Sequence, residues 1–195
     1  MQAKSYWLIL IVGLLCSIMI WQWHISRVEH PQYQVTAVNQ NIELRQYRPM
    51  IIAQVQVSGS REQAIRQGFK LLAKYIFGGN NRQQKIAMTA PVMQLKNGNQ
   101  WIIQFVMPSQ YQLKDLPKPN DSKVQLKTLP IQEIAAIRFA GFYSDGNVVE
   151  HQKQLTNYLS QQNIKFNDAP IYAFYNPPWT LPFLRRNEVM LSYQP

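Results

Sequence analysis

A chain of 195 residues is long enough for one domain with a sizeable core. Its 20 Lys and Arg against 10 Asp and Glu give a formal charge of +10, which favours anionic partners. The absence of an Arg-rich tract, zinc-finger spacing or an RNP-like aromatic motif argues against nucleic acid. The single cysteine, Cys16, excludes an intramolecular disulfide and a cysteine metal cluster.

Tyr6 to Trp23 reads YWLILIVGLLCSIMIWQW, with Lys4 before it, Arg27 after it and no formally charged residue between. About 20 helical residues cross the hydrocarbon core of a bilayer, so the stretch is long enough. Tyr6, Trp7, Trp21 and Trp23 stand where interfacial aromatic belts would be. A cleaved signal peptide needs a small-x-small site, which Ile20–Ser26 lacks. A lipoprotein needs a small residue before its cysteine, and Leu14-Leu15-Cys16 has none. The reading is an uncleaved signal anchor in residues 1–29, followed by a soluble domain over residues 30–195. Lys4 and the terminal amine suggest a cytoplasmic N-terminus, which puts the domain on the periplasmic or extracytoplasmic side. The charge of +9 on residues 30–195 (18 basic minus 9 acidic) argues weakly against that side. His24, Glu29, His30 and Pro31 form a short polar linker after the span.

The domain opens with predicted strands at Tyr33–Val38, Ile42–Tyr47 and Met50–Val57. In the second, Ile42, Leu44 and Gln46 alternate with Glu43, Arg45 and Tyr47, which suggests a sheet with one wet face. A helix over Arg61–Phe77 follows, with Ser60 and Gln63 as a capping box. Ile65, Phe69, Leu72 and Ile76 form its apolar stripe, and Gly78-Gly79-Asn80 ends it. Strands are expected at Ile86–Leu95 and Trp101–Met107 around a Lys96-Asn97-Gly98-Asn99 turn. A Pro-rich surface loop covers Asp115–Ser122. Strands at Val124–Leu129 and Ile134–Phe139 precede a second helix over Asn147–Gln161, with Val148, Leu155, Tyr158 and Leu159 inward. Strands Ile171–Tyr175 and Glu188–Tyr193 close the chain. Met50–Phe77 and Ile134–Gln161 occupy matching places, so the pattern is α+β, largely antiparallel, with an internal pseudo-repeat.

On the first helix Arg66, Lys70 and Lys74 recur every four residues and border the apolar stripe. Such an edge is either a solvated helix face over a core stripe, or a groove rimmed by cations that suits a flat, amphipathic anion. Two segments are too unusual to be filler: Lys74–Val92, KYIFGGNNRQQKIAMTAPV, and Tyr175–Leu191, YNPPWTLPFLRRNEVML. With Phe105-Val106-Met107-Pro108-Ser109, Leu116-Pro117-x-Pro119 and Phe139-Ala140-Gly141 between them, they resemble the SOUL / haem-binding protein family from about Tyr33 to Leu191. That resemblance implies a distorted β-barrel flanked by two helices, akin to bacterial effector-binding domains. It also implies haem or a related tetrapyrrole, held non-covalently beside the first helix by a carrier, buffer or sensor. The matching positions are Arg66, Phe69 and Lys74, plus Tyr175 before the Pro-Pro; Lys70 joins them by spacing. Alternatives are another amphipathic, lipid-like anion in the same groove, or a ligand-free interaction scaffold at the membrane.

Residues for other chemistry are sparse. No Cys-x-x-Cys-His motif exists, so covalent haem is excluded. His151 reads as a half-exposed helix histidine, and Met88 and Met107 as strand packing. Arg185-Arg186-Asn187-Glu188 reads as an Arg–Glu network that pins the last strand to a turn built by Pro177, Pro178 and Pro182. No nucleophile accompanies His151, and Glu43, Glu62, Glu133, Glu150 and Glu188 show no pairing pattern, so an enzyme is not expected.

Overall fold

The computed structural model of the protein describes Gly13, residues 28–142 and residues 144–195. The apolar segment Tyr6–Trp23 lies, Gly13 apart, outside the described residues. No helix among the described residues is long and apolar enough to cross a membrane.

Among residues 28–142 and 144–195, nine strands and two α-helices follow the order β1 (Tyr33–Asn39), β2 (Ile42–Tyr47), β3 (Met50–Ser58), α1 (Arg61–Ile76), β4 (Val92–Asn97), β5 (Gln100–Val106), β6 (Gln125–Leu129), β7 (Gln132–Phe139), α2 (Asp145–Gln161), β8 (Ile171–Phe174) and β9 (Asn187–Ser192). All nine strands join one sheet in the order β1-β2-β7-β9-β8-β4-β5-β3-β6. Every neighbouring pair is antiparallel. The sheet therefore ends at β1 and β6, and the expected barrel is an open curl. The pseudo-repeat is visible in that order. From β2 to β6 the sequence of strands reads symmetrically about the β8–β4 junction, with β7 matching β3 and β9 matching β5. Each half also lends its first strand to the other: β2 precedes β3 but pairs with β7, and β6 precedes β7 but pairs with β3.

Alternation along the strands divides the core into three parts. Ala53, Val55, Ile103 and Phe105 pack under α1. Ala135, Ile137, Val189 and Leu191 pack under α2. Tyr47, Ile52, Met93, Ala136 and Met190 fill the inside of the curl. The helices thus lie on the outer face and the third cluster on the concave one.

Local chemistry explains the helix ends. The Ser60 hydroxyl accepts from the Gln63 amide and the Gln63 side chain accepts from the Ser60 amide, the reciprocal capping box. Ser144 caps α2 in the same way, accepting from the Asn147 amide. After α1, Gly78 adopts φ 105°, a left-handed turn that favours glycine. Asn80 is buried behind it and donates to the Tyr75 and Gln84 carbonyls. These bonds account for the Gly-Gly-Asn motif as a helix terminator.

Several expectations are corrected. Both faces of β2 carry buried residues: Ile42 and half-buried Leu44 face α2, with Gln46 exposed beyond them, while the supposedly polar positions Arg45 and Tyr47 are buried inside the curl. The buried stripe of α1 is Ala64, Gly68, Leu72, Tyr75 and Ile76, with Phe69 left on its flank. Gly68 brings the helix backbone close to the sheet. A Cβ there would lie 2.4 Å from Ile103 Cγ1 and 2.7 Å from Ile103 Cβ. The strand expected from Ile86 starts only at Val92. Pro91 has no N–H for a ladder, and the Ile86 amide and the Thr89 hydroxyl donate instead to the Ile76 and Val106 carbonyls. Met88 is exposed in this irregular stretch, whereas Met107 is buried under α1. The Pro-rich loop is only partly a surface loop. Leu116 is buried in the α1 cluster, and the Tyr75 hydroxyl donates to the Pro117 carbonyl at 2.9 Å. The linker is docked, since the Glu29 carbonyl accepts from the Ala90 amide and its carboxylate from the Ser109 amide at 2.7 Å.

Gly68→Ala is expected to destabilise the fold by about 1–3 kcal/mol through overpacking against Ile103. Chemical denaturation checks this, and Ile103→Ala, which removes Cγ1, should cost less in the Gly68→Ala background than in the unsubstituted chain.

Candidate functional site

Two arrangements of side chains stand out, one inside the curl and one on the outer face. Inside, the Glu188 carboxylate is fully buried and takes a two-point bond from Arg45, Nη1 to Oε2 at 2.8 Å and Nη2 to Oε1 at 3.0 Å. Arg186 donates to Oε1 from Nε at 3.0 Å and Nη2 at 2.7 Å. The Tyr175 hydroxyl donates to Oε2 at 2.8 Å. Arg45 also reaches Glu43 at 2.7 Å and stacks over the Tyr33 ring at 4.5 Å. Two arginines and two carboxylates therefore balance. Burial alone would push the Glu188 carboxyl up, but the bonds and charge of Arg45 and then of Arg186 outweigh it and hold Glu188 below its usual range. Burial, then the Glu188 charge, pushes the Tyr175 phenol well above its usual value. Burial, then Arg186, lowers the His30 imidazole, which meets the Tyr175 ring edge-on at 5.4 Å.

This cluster is the expected Arg–Glu network, with an additional partner. Arg185 holds the loop between β8 and β9 by donating to the Thr180 carbonyl at 2.7 Å and to the Pro178 carbonyl. The sequence reading missed Arg45, which lies 143 residues from Glu188. Its only local signal was a charged residue at an alternate position of a strand.

On the outer face, β4 aligns Val92 with Phe105 of β5 on one side and Phe174 of β8 on the other. Register puts these three side chains in one row on the helix side of the sheet. Phe69 of α1 is 37% exposed and meets Phe105 edge to face at 5.3 Å, extending the row to the flank of the helix. Arg66 lies on the same flank as Phe69, about 60° away around the helix. Its guanidinium donates to Glu62 one turn back at 2.9 Å, and both groups are exposed. Lys70 and Lys74 are exposed, but at 100° per residue Lys74 sits about 140° from Phe69, on the other flank. The three cations therefore drift around the solvent side of α1, and only Arg66 borders the apolar row. Tyr175 follows Phe174, so its side chain turns to the concave face, where it packs with the inner cluster. Of the five expected site residues, Arg66 and Phe69 come together; Lys70, Lys74 and Tyr175 lie elsewhere.

Further along the outer face, the N-termini of the two helices meet. Arg61 and Asp145, the first residues of α1 and α2, form an ion pair across the pseudo-twofold. Beside them opens a cleft of about 480 Å³ walled by Trp101, Tyr172, Val148, Val149 and Lys96. His151 stacks on Phe139 at 4.1 Å and its Nδ1 donates to the Asn147 carbonyl at 2.7 Å, a half-buried helix histidine as expected. Among the described residues no three His, Cys, Asp or Glu side chains stand together as a metal site.

A protein-family model described as "SOUL heme-binding protein" matches residues 28–192. Heme-binding protein 2 of Homo sapiens is 32% identical over 158 residues, covering 76% of this chain and 76% of that protein. Heme-binding protein 1 of Xenopus laevis is 29% identical over 155 residues, covering 75% and 80%. Among solved structures, the EcmrR C-terminal domain superposes with a TM-score of 0.61 at 11% identity, over 83% of this chain and 98% of that one, a likeness of fold alone.

Glu188→Gln is expected to cost about 3–5 kcal/mol, because it leaves buried Arg45 and half-buried Arg186 short of a counter-charge; urea unfolding measures it. Ionised Glu188 contributes stability that is complete above its ordinary pKa of 4.5 and lost as pH falls through its lower folded value. From pH 7 to 5 Glu188 should therefore add no pH dependence to the thermal midpoint, which should drop below that range, less steeply in the variant.

Proposed function

The chain belongs to the SOUL haem-binding protein family, and from that premise we propose that it binds haem or a related tetrapyrrole without a covalent bond, as a membrane-anchored binding protein rather than an enzyme. The observation that carries the location is the apolar row on the outer face, where Phe69, Val92 and Phe174 surround the buried Phe105 and Arg66 stands at the rim. A tetrapyrrole needs a flat apolar surface for its ring and a cation at the rim for its propionates. The strip supplies the surface and Arg66 the cation, whereas the concave face is filled by the charges of Arg45, Glu188 and Arg186. Binding there rests on contact with the ring and needs no protein ligand to iron. The protein's part is to exclude water from one face of the ring and to orient its carboxylates.

The N-terminal segment Tyr6–Trp23 supports single-pass anchoring, with Lys4 favouring a cytoplasmic N-terminus and an extracytoplasmic domain. A carrier or buffer role fits a shallow strip, in which Phe69, Val92 and Phe174 reach solvent around the buried Phe105, better than a tuned redox centre does.

Haem titration of the full-length chain in detergent, followed at the Soret band, is expected to saturate at one equivalent. Arg66→Ala/Phe69→Ala should weaken it about tenfold, equivalent to ~1.4 kcal/mol, while Lys74→Ala should not. Saturation insensitive to that pair but lost in Lys96→Ala/Trp101→Ala would move the site to the cleft between the helix N-termini. No saturable signal would reject haem and favour a different amphipathic anion.

A further inference from the structure

The loop between β8 and β9 carries apolar side chains that the domain leaves in solvent. Phe183 is 71% exposed and Trp179 65%, with Leu181 and Leu184 also exposed; Phe142, 68% exposed, joins them from the β7–α2 connection. The loop is closed on itself. The Thr180 amide donates to the Pro177 carbonyl, the Leu184 amide to the Leu181 carbonyl, and Arg185 ties down Thr180 and Pro178 from the side. The Gly141 amide donates to the Pro182 carbonyl and the Arg185 guanidinium sits 5.7 Å over the Phe142 ring, so the two segments form one patch. A contiguous apolar patch held in a fixed shape marks a contact surface.

We propose that this patch docks the domain onto a bilayer surface with acidic headgroups, Trp179, Leu181 and Phe183 entering the interface. Three observations favour lipid as the occupant. No acidic residue occurs between Asp168 and Glu188, and Arg185 stands at the patch within a domain of charge +9. Tryptophan and phenylalanine beside arginine is the composition that settles at the headgroup boundary. The third observation is placement. The chain is fixed to the domain from Glu29 onward, and His30 meets the ring of Tyr175, the residue from which the loop springs. From Trp23 to Glu29 the chain reaches at most about 21 Å. A span over residues 6–23 therefore delivers the domain to the membrane with this loop at the tethered end. The inference rests on that reading of the N-terminal segment.

The test uses the full-length chain with Cys16→Ser, reconstituted into phosphatidylcholine vesicles with or without phosphatidylglycerol. Leu181→Cys carries an environment-sensitive fluorophore. Asn99→Cys is the control, exposed at the far end of β4 from its pairing with Phe174. The expected result is flotation with vesicles, a blue-shifted Leu181 probe quenched by headgroup-depth spin-labelled lipid, stronger with phosphatidylglycerol and reduced by salt, and an unaffected Asn99 probe. Trp179→Ala/Phe183→Ala in the Leu181 probe background should reduce the quenching. A floating chain whose Leu181 probe stays aqueous overturns the docking and leaves the anchor intact. A chain that fails to float overturns the anchor and the docking with it. A blue shift that rises with protein concentration in detergent and resists lipid quenchers assigns the patch to a second copy and overturns the lipid contact.

Discussion

The pairing of Glu188 with Arg45 and Arg186 holds the inside of the curled sheet together. Glu188 stands on β9, Arg45 on β2 and Arg186 at the root of the β8–β9 loop, and β7 runs between the first two. Bringing these charges out of water is expensive, and only the two-point geometry, the added phenol of Tyr175 and the second carboxylate of Glu43 offset it. The cluster therefore fixes register in a way that an apolar core would not. A one-residue slip of β2 would turn Arg45 to the α2 side and strand Glu188.

This filling has a functional side. A curled sheet offers two surfaces, and here the concave one is occupied by the protein's own charges and rings. The ligand site proposed above accordingly takes the outer face between the helices, where the apolar row from Phe69 to Phe174 and the cleft beside Arg61 and Asp145 both lie. The same loop that closes the inner cluster through Arg186 presents Trp179 and Phe183 to the outside. Its proline-rich, aromatic sequence serves an anchor inside and a surface outside at once.

Much of this was legible from residues alone. The capping box at Ser60 and Gln63, the Gly-Gly-Asn terminator, the hairpin around Gly98 and the two matching halves are local signals, and local geometry obeyed them. What escaped depends on contacts far along the chain. Period-two alternation in β2 shows that its faces differ, not which of them meets water: Arg45 and Tyr47 are buried inside, while the α2 side runs from buried Ile42 to exposed Gln46. The α1 stripe was drawn through large apolar side chains, yet the face that touches the sheet is built on Ala64 and Gly68, whose small size permits the approach. A spacing of four carried Arg66, Lys70 and Lys74 along the helix, but a period of 3.6 turns each step about 40° further round. Tyr175 was grouped with the helix by motif, and the pleat turns it to the opposite face.

The exchange of first strands between the halves has a consequence for how the chain is made. Ile42 on β2 is paired with Ile137 on β7, ninety-five residues later. At about 5–20 residues per second a ribosome needs roughly 5–20 s to supply that partner. Throughout that interval β2 has only its hairpin partner β1, and Arg45 waits without Glu188. An early-emerging N-terminal span would hold this half-made domain at a bilayer, away from other nascent chains, until its second half arrives to complete both.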